Sequence, residues 1–386
     1  MDLSEVMKFN NYLSQTDRFL IKWSSSYFNP TLHYPEFLEH KDKIDWDTFT
    51  EKAQLSHLSG FAYWFFLNNK LSGFDVNLWK SLQIKYVQIL QSNTHFLTLH
   101  QQMSKMLDDH QIPFSVLKGM DLIFRTYREL GVRHISDIDI LILPEHLDKV
   151  KLLFEEMGFL CSQSVDKSNF HEKHFQLHAP LQASKNGMNI DVHIMLYDTL
   201  LGFHFPTEQL ISRREKISWQ EQETWVLQKS DSALFNILHL YVHLDKGNHF
   251  KMSSFLDVFF TLPALDYPKN KNNFDKNVQT KIEQVIDCMI WMGLLNEDYL
   301  PNRKKAPKRY YFYIQFFLKE QKPTVTQLIR FKFFPRLAPY SFSWKIVPLI
   351  FFEVFPSKKY LNKSNPNSHY AMAWMKRLKY FARSND

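Results

Sequence analysis

The chain has 386 residues, a length that suits roughly two or three domains, and 45% of them are hydrophobic, ample to bury a core. Only 9 are glycine, about 2% against an average near 7%, which argues against glycine-rich phosphate loops, propellers and turn-dense all-β folds and predicts a helix-rich chain. Aromatic residues reach 16% and charged residues 23%, which excludes a largely disordered protein; the net charge of +7 is uneven, with +15 in residues 301–386 and so −8 in residues 1–300.

Residues 1–110 read as helices, with Leu55, Leu58, Phe61 and Phe65, then Leu90, Phe96, Leu97 and Leu107 at three-to-four spacing. The early acids Asp2 and Glu5 and the lack of an apolar stretch in Met1–Lys22 argue against a signal peptide. Beyond Pro113 the texture changes. A short apolar strand, Phe114–Leu117, leads through Lys118-Gly119 into a helical stretch ending near Leu130, and Ser136–Leu143 reads as a buried strand with carboxylates at its start. Pro144 opens a helix that stops at Gly158, and a strand at Phe159–Gln163 follows. Phe170–His178 and Met188–Leu196 read as a hairpin joined across Ser184-Lys185-Asn186-Gly187, whose Asn-Gly supplies positive φ angles. Helical periodicity returns from Ser230, at Leu256–Leu262 and at Val278–Leu295, with residues 263–277 as the clearest loop.

The chemistry concentrates in Ser136-Asp137-Ile138-Asp139-Ile140-Leu141-Ile142. Alternation puts Asp137 and Asp139 on one face, about 6.6 Å apart. Carboxylates that close repel each other and are costly to desolvate, and a divalent cation answers both costs. Mg²⁺ typically binds through one or two carboxylates plus substrate phosphates. A later strand, Asn189–Ile194, carries Asp191 and His193 on one face; if it joins the same sheet, Asp191 completes a cluster suited to two metal ions and phosphoryl displacement. Lys118-Gly119, between strand and helix, offers backbone N–H groups and a cation to an anion.

In this order, Lys118-Gly119, the segment Arg133-His134-Ile135-Ser136-Asp137-Ile138-Asp139 and the later acidic strand resemble the DNA polymerase β-type nucleotidyltransferase superfamily. The Gly-Ser that usually opens that pattern is replaced by Leu117-Lys118-Gly119-Met120, a feature of one poorly characterised bacterial branch with an LKG start and an R-x-x-x-D-I-D strand. The resemblance extends to Trp46-Asp47, to the helix from Asn93 to Ile112-Pro113, to His239–Asp257 and to Phe355-Pro356-Ser357. It implies that Asp137 and Asp139 ligate Mg²⁺ (or Mn²⁺) on a nucleoside triphosphate and that Asp191 serves a second metal or acts as base. Lys118, Gly119, Arg133 and Ser136 would form the nucleotide-binding set, with Arg133 meeting phosphate or pairing with a carboxylate.

His193 either orients a carboxylate or substrate or is a strand histidine hydrogen-bonded in the sheet. His171, His174 and His178 do not share one strand face, which argues against zinc. His239 and His243 are four apart on a helix without the Glu of an H-E-x-x-H site, so His243 is read as structural or active-site-facing, with Asp257 as its partner. Cys161 and Cys288 read as small buried hydrophobes and fit a reducing cytoplasm. In the basic end, RYYFYIQFFLK and RFKFFPR suit base stacking, peripheral contact with anionic lipid or, the favoured reading, a helical core with snorkelling lysines. No run approaches the roughly 20 apolar residues of a membrane span.

The expectation is an α/β (α+β) enzyme: a small mixed-sheet polymerase β-like core at 111–200, an N-terminal helical region at 1–110, a helical domain at 201–300 and a basic, aromatic-rich helical region at 301–386. It would move a nucleoside monophosphate from an NTP to an unidentified small-molecule, sugar or protein hydroxyl. The alternatives are a non-catalytic nucleotide- or partner-binding accessory protein and an antitoxin-like enzyme that modifies a protein.

Overall fold

The computed structural model describes residues 15–25, 44–70, 76–163, 181–196, 205–246 and 251–307, together with Tyr310, Tyr311, Ile314 and Met372. The expected strand Phe170–His178 and nearly all of the basic C-terminal region lie outside these residues. Among the described residues no helix is long and apolar enough to cross a membrane.

Among the described residues, four helices precede the sheet: α1 (Gln15–Ser25), α2 (Trp46–Leu55), α3 (Ser59–Asn68) and α4 (Val76–Asp109). Asp45 caps α2 by accepting from Thr48 N–H, satisfying an end the helix cannot satisfy itself. α3, SGFAYWFFLN, is apolar nearly all round and is buried accordingly; Trp23 of α1 stacks on its Phe65 with centroids 5.4 Å apart. α4, at 34 residues, spans about 50 Å.

The sheet begins with β1 (Phe114–Leu117), which turns through α5 (Lys118–Leu122) into a π-helical turn at Ile123–Tyr127. Arg128, at φ 52, ends that turn two residues before the expected Leu130. Next come β2 (Ile138–Ile142), α6 (Leu147–Glu156), β3 (Leu160–Gln163), β4 (Leu181–Lys185) and β5 (Met188–His193). Asn186 and Gly187 form the hairpin turn as expected, at φ 51 and 78, but the strand they join to β5 is β4.

After α7 (Thr207–Ser212), the strands β6 (Glu215–Trp219) and β7 (Gln222–Val226) form a hairpin within the stretch read as helical, and β7 pairs parallel with β1 at Val116↔Val226. The sheet therefore continues past residue 200, in the order β3-β4-β5-β2-β1-β7-β6. Its central strands β1 and β2 are buried at every position, as their unbroken apolar runs require when both faces are covered.

Beyond the sheet the described helices include α8 (Lys229–Lys246), α9 (Met252–Thr261) and α10 (Lys276–Trp291). The expected loop at 263–277 is a series of short helical turns, including Leu262–Leu265, Tyr267–Asn270 and Lys271–Asn273. Asp287, buried in α10, collects Arg303 Nε at 2.7 Å, the Ala306 amide at 3.0 Å and the Tyr311 hydroxyl, which fastens the chain beyond α10 to the core.

Candidate active site

Asp139 is the second residue of β2 and is 2% exposed; Asp137 stands just before the strand. β2 and β5 run parallel with Asp139 opposite Asp191 and Leu141 opposite His193. Directly paired strand residues share a face, and alternation repeats that face every second residue. One oxygen from each of Asp137, Asp139 and Asp191 accordingly falls within 4.8 Å of the others. Three hard oxygen donors gathered so tightly fit Mg²⁺ or Mn²⁺ and poorly fit a softer thiolate-seeking metal.

Asp139 Oδ1 is met by two nitrogen groups, Lys118 Nζ at 2.6 Å and His193 Nε2 at 2.8 Å. Burial alone would raise the Asp139 pKa, yet the Lys118 charge and the His193 hydrogen bond outweigh it and keep the carboxyl well below its ordinary value. Asp191 goes the other way: partial burial and then the charges of Asp139 and Asp137 raise it, while Gln182 Nε2 donates to its Oδ1 at 3.1 Å. His193 therefore contacts the Asp139 carboxylate directly.

Lys118 adopts φ 49, a left-handed conformation that costs a residue with a Cβ about 1–2 kcal/mol. That turn sends its chain toward β2, and burial, which would lower its pKa, is overcome by Asp139 so that the ammonium is firmly charged. At Gly119 a Cβ would stand 3.3 Å from Ile135 Cγ1, so the absence of a side chain lets the 131–135 loop lie against the turn.

Asn93 in the middle of α4 is fully buried and fixes the same loop from beneath. Its Nδ2 donates to Leu130 O at 2.7 Å and Arg133 O at 2.6 Å, and its Oδ1 accepts from Ile135 N–H at 3.0 Å. This positioning role was not read from the residues; a lone Asn on the buried stripe of a long helix is the available signal.

Arg133 faces α9 rather than the carboxylate triad. It grips Asp257 with Nε 3.1 Å from Oδ1 and Nη2 2.9 Å from Oδ2, and Tyr127 donates to the same Oδ1 at 2.6 Å. Burial opposes its charge, but Asp257 more than compensates and raises its pKa. Asp257 is thus Arg133's partner and not His243's. His243 Nε2 lies instead 3.0 Å from His239 Nε2, one ring donating to the other. Ser136 is exposed and its hydroxyl reaches Asp137 Oδ1 at 3.0 Å.

Two acidic strands side by side, with carboxylates converging beside a lysine-glycine turn, are the arrangement that the nucleotidyltransferase resemblance implies. The chain belongs to the family described as uncharacterised nucleotidyltransferase, which it matches over residues 42–292, well over half its length. No curated protein matches it in sequence. Among solved structures it is similar to the antibiotic-resistance factor ANT(2'')-Ia in solution, at 12% identity over 49% of this chain and 90% of that one, with a TM-score of 0.33. A crystal structure of ANT(2'')-Ia in complex with adenylyl-2''-tobramycin is similar at 12% identity over 53% and 99% of the two chains, with a TM-score of 0.28.

Proposed function

We propose that this enzyme transfers a nucleoside monophosphate from an NTP to an acceptor hydroxyl in a reaction that depends on Mg²⁺ or Mn²⁺. The observation that carries the reading is the convergence of Asp137, Asp139 and Asp191 within 4.8 Å. These three would hold the metal, which when bound screens the charge of the triphosphate and of the departing pyrophosphate.

The chain's own residues then have distinct tasks. His193 holds Asp139 in a fixed orientation through the 2.8 Å hydrogen bond. Lys118, charged and beside the same carboxylate, contributes positive charge where phosphate oxygens approach. Asp191, only partly buried at the edge of the triad, is placed to serve the metal or to accept the proton of the attacking hydroxyl. Gly119 and Ser136 flank the nucleotide. Arg133 supports the loop that carries Asp137 by anchoring it to Asp257 of α9.

A sugar, another small molecule or a protein hydroxyl can accept the nucleotide, and a reducing cytoplasm suits the chain's two cysteines. The test is incubation with α-labelled NTPs, Mg²⁺ and a panel of sugars, aminoglycosides and proteins. Label transfer is expected from the intact enzyme, and transfer that persists undiminished in the Asp137→Asn/Asp139→Asn protein refutes the site.

A further inference from the structure

Three segments distant in sequence meet beside the triad. The turn after α2 contributes His57, whose backbone sits at φ 57; the loop held by Asn93 contributes His134; and the residue capping the start of α9 is Lys251. They are physically joined. Ser253 N–H donates to Ser56 O at 3.3 Å, Arg133 clasps Asp257 further along α9, and the His57 and His134 rings lie 5.7 Å apart at 51°. The packing leaves these side chains partly open to solvent, in contrast to the buried core around them.

Lys251 is the cation of the cluster, beside two imidazoles whose surroundings disfavour their charged form. Burial and then the neighbouring Lys251, His134 and Arg133 press the His57 pKa down to about 4, and burial with Arg133 lowers that of Lys251. Asp257 and Asp137 are the carboxylates whose charge Lys251 feels, but Asp257 is committed to Arg133 and Asp137 belongs to the triad. Among the described residues Lys251 forms no ion pair, and the buried His134 Nδ1 has no hydrogen-bond partner. An ammonium and imidazole N–H groups that no protein anion completes are complementary to an oxyanion.

We propose that His57, His134 and Lys251 form a second phosphate-binding site, distinct from the metal-holding carboxylates and reached from the Asp137 side of the triad. It receives either the outer phosphates of the nucleotide or a phosphate carried by the acceptor. Its catalytic meaning rests on the proposed nucleotidyl transfer, whereas its capacity to bind phosphate does not.

The experiment is calorimetric titration of the full chain with pyrophosphate in EDTA, alongside NMR of the histidine ring protons. Saturable binding and shifts of the His57 and His134 resonances are expected. Binding should weaken roughly tenfold or more in Lys251→Gln and in His134→Gln, both checked for fold by circular dichroism, and persist in Asp137→Asn/Asp139→Asn. Since EDTA removes metal, failure of the transfer assay and failure of this site are separate results. Competition against bound pyrophosphate then assigns the source: displacement by ATP weakened in Lys251→Gln supports nucleotide phosphates, and displacement by a hexose phosphate but not the free hexose supports a phosphorylated acceptor. Absence of pyrophosphate binding to the unaltered protein, or equal binding by both substituted proteins, overturns the proposal.

Discussion

Lys118 Nζ stands 2.6 Å from Asp139 Oδ1, on the same oxygen that His193 Nε2 reaches at 2.8 Å. An ammonium in that position neutralises a buried carboxylate that would otherwise be very costly, and it competes with any cation seeking the same charge. Lys118→Met should therefore tighten Mn²⁺ binding in the absence of nucleotide by about tenfold, roughly 1.4 kcal/mol, while slowing nucleotidyl transfer. Calorimetry with Mn²⁺ checks the first effect; unchanged or weaker metal binding contradicts the competition.

Arg133 and Asp257 are both largely buried and satisfy each other through paired hydrogen bonds. Removing one partner strands the other charge, so Arg133→Ala should cost about 3–5 kcal/mol by urea unfolding. Replacing both with apolar residues should cost less than Arg133→Ala alone. A double variant as unstable as the sum of the two single variants would refute the pairing as the source of the loss.

Scarce glycine is used where chains cross closely. A Cβ on Gly60 would lie 2.4 Å from both Gly131 O and Val132 O, and backbone cannot swing aside as a side-chain tip can. Gly60→Ala should lower stability by about 1–3 kcal/mol. It should also reduce activity, because the displaced segment leads directly to Arg133 and Asp137. Wild-type unfolding and activity in this variant would contradict the contact.

Burial drives the His100 pKa down to about 3, and its ring Nε2 lies 2.7 Å from Thr224 Oγ1 and 3.0 Å from Ser104 Oγ. A histidine kept neutral in the fold but titrating near 6.5 when unfolded contributes stability above pH 6.5, and that contribution falls away as pH drops toward 3. Between pH 7.5 and 5 the loss should be about 2 kcal/mol, on the order of 1.4 kcal/mol per pH unit below 6.5. Urea midpoints at the two pH values should show a smaller drop in His100→Gln; an identical drop would reject the assignment.

The carboxylates could be read from sequence because strand alternation is local: D-I-D and D-V-H each declare their facing residues within a few positions. The β4–β5 turn declared itself through Asn186-Gly187. The β6–β7 turn did not, because Gln220 and Glu221 adopt φ 47 and 61 without any residue that favours that region. Its strands, EKISW and QETWV, are polar enough to pass for surface helix or loop. Pairings such as Arg133 with Asp257, and the meeting of His57, His134 and Lys251, depend on how α2, α9 and the loop before β2 dock. Periodicity within one segment carries no information about which distant segment it will face.

The central claim is that Asp137 and Asp139 hold the metal that the nucleotide requires. Electron paramagnetic resonance of Mn²⁺, titrated with a non-hydrolysable ATP analogue, tests it most directly in the unaltered protein and in Asp137→Asn/Asp139→Asn. Bound Mn²⁺ that depends on nucleotide in the first and disappears in the second, with both proteins folded, is the expected result; equal Mn²⁺ binding by the two would contradict the account.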